Sequence, residues 1–271
     1  MQVFTHQFSN DFPGLRGVNL FAHQFPIEPF LVFTEFFMDR PVFGPHAHAG
    51  ISVMTYLLPD SLGSFINRDS NGDFSTIEPG GLHITQAGSG IHHDEFPKGE
   101  ATTHGFQIWI NHKEKNRFVA AKSFHAFAND IPELKGGNHI IRILHGQYNG
   151  IKTPWQMVTD VCLLHVFLKP NQSINLSNRE MAFAYILLGE GNVSEQTILP
   201  QNLITFTDEE PAIHLQASAQ GLEFMYATAI PLKEQITYGG PFVATTTVQM
   251  QQMKQRYADG KMGTLAHYEQ H

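Results

Sequence analysis

At 271 residues the chain exceeds one typical domain of ~150 residues, so two domains of similar size are the first expectation. Hydrophobic content of 42% against 15% charged residues is globular and excludes extensive disorder, and 22 phenylalanines beside two tryptophans point to aromatic packing between sheets. A formal net charge of -8 with no basic run excludes a direct nucleic-acid surface, and no apolar stretch approaches the ~20 residues of a membrane span.

The first residues, Met1 to Gln7, lack the basic start and apolar core of a secretory leader, so a cytoplasmic protein is expected. Residues 1 to about 27 read as an irregular lead-in with Phe8, Phe12 and Phe25 available to pack. Pro29 to Phe37 then reads as a buried strand and Ile51 to Leu57 as a β-branched, alternating one. Asn71-Gly72 between two extended segments is a strong hairpin signal, and Glu78-Pro79-Gly80-Gly81 is a further turn before a strand from Leu82 to Gln86. Gln107 to Asn111 alternates again, with Gln107 facing either an internal cavity or the barrel wall. Around Asn129 to Gly137 the alternation lapses into turn chemistry, which puts the boundary between an N-terminal domain of residues 1–135 and a C-terminal domain of residues 136–271.

In the second half, Ile140 to Leu144, Val161 to Leu168, Ala182 to Leu188, Leu203 to Phe206 and Leu222 to Ala227 have the spacing of an all-β barrel or sandwich, with Gly189-Glu190-Gly191 turning one hairpin. The single cysteine, Cys162, sits in the apolar run Val161 to Leu164 and reads as a small buried hydrophobe. Val248, Met250, Met253 and Tyr257 recur at near-helical spacing after Thr245-Thr246-Thr247, with Gly260 as the stop. A short C-terminal helix with a Met-rich core stripe is expected there.

The residues that could carry chemistry converge on Pro45-His46-Ala47-His48-Ala49-Gly50 and Gly90-Ile91-His92-His93-Asp94-Glu95-Phe96-Pro97. In an extended strand alternate side chains share a face, so His46 and His48 project together, as do His93 and Glu95. Three imidazoles and one carboxylate, delivered as two such pairs, form a plausible set of ligands for a divalent first-row metal with positions left for substrate. Periodicity alone equally allows His92 with Asp94 on the opposite face.

These stretches resemble the pirin family, bicupin proteins of the cupin superfamily. The matching pieces are Pro45 to Gly50, Arg68-Asp69-Ser70-Asn71-Gly72, Ile77 to Gly81, Gln86 to Pro97 and Gly105 to Asn111, with Glu28 to Leu31, Glu35-Phe36 and Tyr238 to Val243 outside them. The resemblance implies two jelly-roll type cupin β-barrels in tandem with a short C-terminal helix. It also implies a mononuclear metal, usually iron, on His46, His48, His93 and Glu95, which selects that register over His92 and Asp94. Typical cupins take their last histidine shortly after a Pro-x-Gly turn; here that slot falls nearer Ile84, so His83 is expected to face away as a hydrogen-bonded strand histidine. The second half offers Ser173 to Asn178 where the first carries His-x-His, and is expected to be a metal-free barrel that shields the first domain's open edges.

Similarity to quercetin 2,3-dioxygenases implies a flavonol-like aromatic substrate and O2, with ring opening and release of CO. Iron(II) is then the first choice of metal, ahead of nickel, manganese, copper, cobalt or zinc, and Glu95 acts as both ligand and general base. The alternative is an iron-containing redox-sensing regulator that docks on a transcription factor or another protein partner. Family members commonly carry Arg-Gly-Phe-Glu after the His-x-His, whereas Ala49-Gly50-Ile51-Ser52 stands here, and Ser89 occupies a commonly basic position. A charged pair beside the site is therefore missing, and substrate choice or metal affinity is expected to differ.

Overall fold

The computed structural model describes residues 1–210 and 212–268. The chain starts with β1 (Gln2–Thr5), which leaves its sequence neighbours and pairs with a strand some 200 residues later. A first barrel follows from β2 (Ser9–Phe12), β3 (Leu15–Phe21), β4 (Phe30–Met38), β5 (His46–His48), β6 (Ile51–Leu57) and β7 (Phe65–Asp69). It is completed by β8 (Phe74–Ile77), β9 (Leu82–Gln86), β10 (Ile91–Pro97), β11 (Thr103–Asn111) and β12 (Lys122–Ala126). These strands form two antiparallel sheets, ordered β12-β9-β6-β11-β4-β3-β2 and β5-β10-β7-β8.

The second barrel contains β13 (Glu133–Lys135), β14 (His139–His145), the small ribbon β15 (Gln147–Tyr148) with β16 (Ile151–Lys152), β17 (Val161–Leu168) and β18 (Ser173–Ser177). It continues through β19 (Met181–Val193), β20 (Gln196–Ile198), β21 (Asn202–Phe206) and β22 (Ala212–Ala229). Its main sheet runs β1-β21-β19-β22-β17-β14-β13. The C-terminal segment, β23 (Thr237–Gly239), β24 (Phe242–Ala244) and α1 (Thr247–Ala258), returns to the first barrel: Val243 N–H donates to Ala49 O at 3.0 Å, beside a parallel bridge from Ala49 to Phe242. Each barrel thus borrows one end of the chain. None of the described helices is long and apolar enough to cross a membrane.

The apolar residues collect in two main places. One cluster fills the second barrel, with Ile143, Leu164, Val166, Ala184, Ile204 and Phe224 all buried. The other lies between the barrels, where Phe33, Tyr56, Phe106 and Ile108 from the first meet Phe183, Tyr185 and Met225 from the second. Phe33 packs at 5.0 Å from both Phe106 and Phe183, the aromatic packing between sheets that the composition suggested. The seven-stranded sheet of the first barrel therefore turns its greasy face outward to its neighbour, which leaves its other face free for polar residues.

Three sequence expectations need correction. The lead-in is not irregular: β1 and β3 are sheet members, and β3 was hard to see because Gly17 and Asn19, poor strand formers, alternate with the buried Val18 and Leu20. Gly189-Glu190-Gly191 does not turn a hairpin but lies inside β19, at a break in register with β22. Gly189 has φ +85°, and a Cβ there would stand 2.2 Å from Gly221 O, so these glycines mark a bulge. In the C-terminal helix, capped by Thr246 Oγ1 accepting from Gln249 N–H, Met250 and Met253 are buried as expected, but Val248 and Tyr257 lie exposed.

Candidate metal centre

β5 is only three residues long, held between the turn at Phe43-Gly44-Pro45 and Gly50. Antiparallel pairing sets His46 directly opposite His93, and His48 opposite Ile91. The three imidazoles converge: His46 Nε2 stands 3.1 Å from His48 Nε2 and 3.2 Å from His93 Nε2. Among the described residues this is the one group of three or more His, Cys, Asp or Glu whose ligand atoms all lie within 4.8 Å of one another. Ala47, on the opposite face, packs with Met250, Met253 and Met262.

The ring orientations follow from backbone carbonyls. Nδ1 of His46 donates to Gly44 O at 2.8 Å and Nδ1 of His48 to Pro241 O at 3.2 Å, so the Nε2 of each neutral ring is left with its lone pair pointing at the other two rings. Lone pairs that close repel unless a proton or cation lies among them. Burial pushes His48 down to about 3 and His93 well below its ordinary value, which disfavours the proton. Two nitrogens each ~2.1 Å from one ion stand about 3.0 Å apart at a right angle and about 3.4 Å apart at the tetrahedral angle, and the observed separations lie between. The donor set fits a divalent first-row ion.

Glu95 lies on the same face of β10 as His93, its Oε2 4.0 Å from His93 Nδ1, but outside the tight group of three. Its carboxylate accepts from Thr55 Oγ1 at 2.6 Å on one oxygen and from Gln107 Nε2 at 2.8 Å on the other. Burial raises it to about 7, against the pull of those two donors. His92 and Asp94 point the other way: the His92 ring stacks on Tyr257 at 5.5 Å, and Asp94 pairs with Arg68 at 2.7 Å. His83 is a hydrogen-bonded strand histidine, with Nε2 2.9 Å from the Asn67 amide, but it looks into the barrel opposite Thr55, while Ile84 turns out to the inter-barrel core. The earlier expectation that His83 faces away fails because β9 keeps strict alternation from Leu82.

His46, His48 and Glu95 sit on the wall of a cavity of about 530 Å³, with His93 buried behind them; its other walls include Leu31, Phe36, Phe43, Phe65, Trp109 and Tyr238. Gln107 does open into it. Sequence reasoning missed Thr55, the Pro241 carbonyl, and Trp109, whose ring stands edge-on to His48 at 4.8 Å. It also missed Arg117, which is fully buried and donates to Gly50 O at 2.9 Å, Asn111 Oδ1 at 2.6 Å and Thr245 Oγ1. Beside the site, a cation from a distant loop thus ties down the backbone immediately after His48. Its partners are neutral, and burial lowers it to about 10. Only the run Tyr238 to Val243 hinted that the far end of the chain takes part.

Comparison with known proteins agrees with this architecture. Residues 18–110 match the family model described as Pirin, and residues 163–263 match the Pirin C-terminal cupin domain. A pirin-like protein of Solanum lycopersicum is 31% identical over 243 residues, covering 88% of this chain and 82% of the relative. The chain belongs to the pirin family. Human pirin is 27% identical over 244 residues, covering 88% of this chain and 83% of its own length. Among solved structures, a quercetin 2,3-dioxygenase from Acinetobacter baumannii superposes with a TM-score of 0.86 at 22% identity over 98% of both chains. A bacterial pirin from Escherichia coli in complex with nickel(II) superposes with a TM-score of 0.66 at 18% identity, over 85% of this chain and 100% of that one. At those identities the likeness is one of fold, the tandem cupin of a pirin.

Proposed function

We propose that this pirin is a metal-dependent dioxygenase acting on a flavonol-like aromatic, with His46, His48, His93 and Glu95 holding the ion. The observation that carries this reading is the convergence of three Nε2 atoms at 3.1 and 3.2 Å, two of them from histidines on the wall of a largely apolar cavity, with a buried carboxylate beside them. A divalent ion, iron(II) by preference, would supply Lewis acidity and one-electron chemistry at that point.

The protein's own groups do the rest. Phe36, Phe65, Leu31 and Trp109 give the cavity flat apolar walls that take aromatic rings and exclude water. Glu95, a carboxylate at the cavity wall beside the histidines, is the base within reach of a phenolic hydroxyl there. Thr55 and Gln107 fix its two oxygens, so the proton arrives at a defined place. Gly44 and Pro241 hold two imidazoles in the tautomer that keeps Nε2 unprotonated.

The test is metal analysis of the purified protein, followed by quercetin turnover with CO detection, compared with the metal-stripped protein. Metal-dependent CO release is expected. Bound metal with no consumption of the flavonol would reject the enzyme in favour of a metal-sensing regulator.

A further inference from the structure

The cavity floor is the inner face of the seven-stranded sheet, and its side chains fall into rows across the strands. Thr55, Gln107, Thr34 and Asn19 stand directly opposite one another on β6, β11, β4 and β3. The row on one side is Val53, Trp109, Val32 and Phe21, and Phe36 stands in the row on the other. One polar stripe therefore crosses an otherwise apolar floor, starting at Glu95 and stepping away from the histidines by about 5 Å per strand.

The hydrogen bonds along this stripe run outward from its middle, Gln107 donating toward Glu95 and Thr34 toward Asn19. Gln107 turns its amide NH2 to Glu95 Oε2 at 2.8 Å, and its carbonyl Oε1 is left to accept. Thr34 gives its hydroxyl proton to Asn19 Oδ1 at 2.9 Å, which leaves the lone pairs of Thr34 Oγ1 to accept as well. Asn19, Thr34, Gln107 and Glu95 all line the cavity, and among the described residues no Lys or Arg does. Acceptor oxygens on Gln107 and Thr34, in line with a buried carboxylate, reward O–H donors on a ligand.

We propose that Gln107 and Thr34 are specificity residues that read hydroxyl groups on the ligand remote from its metal-binding end, so that the cavity selects uncharged polyhydroxylated aromatics over plain ones. This rests on the reading of the site given above and adds what distinguishes one flavonol from another.

The experiment measures binding, not turnover, on the metal-loaded protein in oxygen-free buffer. The probes are quercetin and 3-hydroxyflavone, which keeps the chelating hydroxyl and lacks the others. Thr34→Val removes the acceptor at constant size, and Thr34→Ser restores it. Quercetin should bind the parent more tightly than 3-hydroxyflavone does. Thr34→Val should weaken quercetin about tenfold, the worth of one neutral hydrogen bond, and leave 3-hydroxyflavone unchanged. Thr34→Ser should recover most of the loss, which a purely structural role for Thr34 would not require. Equal affinity of the parent for the two flavonols, or an equal loss of both in Thr34→Val, overturns the inference and leaves the proposed function standing. Failure of the parent to bind either flavonol overturns both.

Discussion

Gly50→Ala should release the C-terminal segment from the histidine strand and loosen the metal. Gly50 sits at φ +79°, and a Cβ built on it would stand 1.9 Å from Val243 O and 2.9 Å from the tip of Met253. The left-handed backbone costs an alanine about 1–2 kcal/mol. The clash with a backbone carbonyl is not relieved by a rotamer change, so β24 must retreat by at least about 1 Å, far enough to break the 3.0 Å bond from Val243 N–H to Ala49 O and forfeit about 1 kcal/mol more. A total near 3 kcal/mol corresponds to a fall in Tm of roughly 6–12 °C for a chain of this size. Pro241, two residues before Val243, carries the carbonyl that orients His48, and losing such a partner typically weakens a metal site ~10–100-fold. Gly72→Ala is the control: φ is +98° but no heavy atom lies within 4 Å of the added Cβ, so the backbone cost is the same and the metal should stay. Scanning calorimetry and chelator competition on both variants make the comparison. Equal metal retention by the two, or a Gly50→Ala Tm within ~2 °C of Gly72→Ala, would refute the strap.

Three further outcomes are expected. His93→Ala should strip the metal while His92→Ala keeps most of it, because the two side chains leave opposite faces of β10; metal quantification showing equal loss rejects that register. Glu95→Gln should lose metal only partly but lower flavonol turnover per bound metal by more than ~10²-fold, checked by oxygen uptake on the same preparations; unchanged turnover per metal would make Glu95 no more than a ligand. Burial lowers His83 and His145 to about 4 and His112 to about 3. The unfolded chain takes up these protons near pH 6.5 and the folded one refuses them until about pH 4. Stability is therefore complete above 6.5 and falls with acid, by about 4 kcal/mol per pH unit across pH 6 to 5 for the three together. Urea midpoints that do not move over that window would contradict it.

How much of this was legible beforehand depends on how local the determinants are. Strand periodicity put His46 with His48 and His93 with Glu95, and the structure sets the first three within hydrogen-bonding distance because β5 and β10 pair in a register that opposes His46 to His93. Periodicity could not choose between His93 and His92, since a period of two fixes which residues share a face but not which face looks inward. Thr55, Trp109 and Gln107 come from strands whose alternation was visible, yet their approach to Glu95 and His48 depends on sheet order, which no local pattern encodes. Arg117 and the Pro241 carbonyl were further out of reach, because contacts across 67 and 193 residues of chain leave no periodic trace.

The division of labour between the barrels explains why a cavity with polar groups on its wall is tolerated in the first. On β4, the outward residue Phe33 packs against Phe106 and Phe183, while its neighbours Val32, Thr34 and Phe36 face the cavity. Each such phenylalanine buried between the barrels contributes on the order of 2 kcal/mol without occupying the interior of the first barrel. The second barrel is filled with aliphatic side chains, and among the described residues its apolar strands offer no set of convergent imidazoles. Its stabilising role is thus separable from chemistry: it supplies the surface against which the first barrel's sheet can be greasy on the outside. The inside is then free to carry three histidines, a carboxylate and a hydrogen-bonding stripe, groups that a self-sufficient single barrel would have to replace with packed apolar side chains to stay folded.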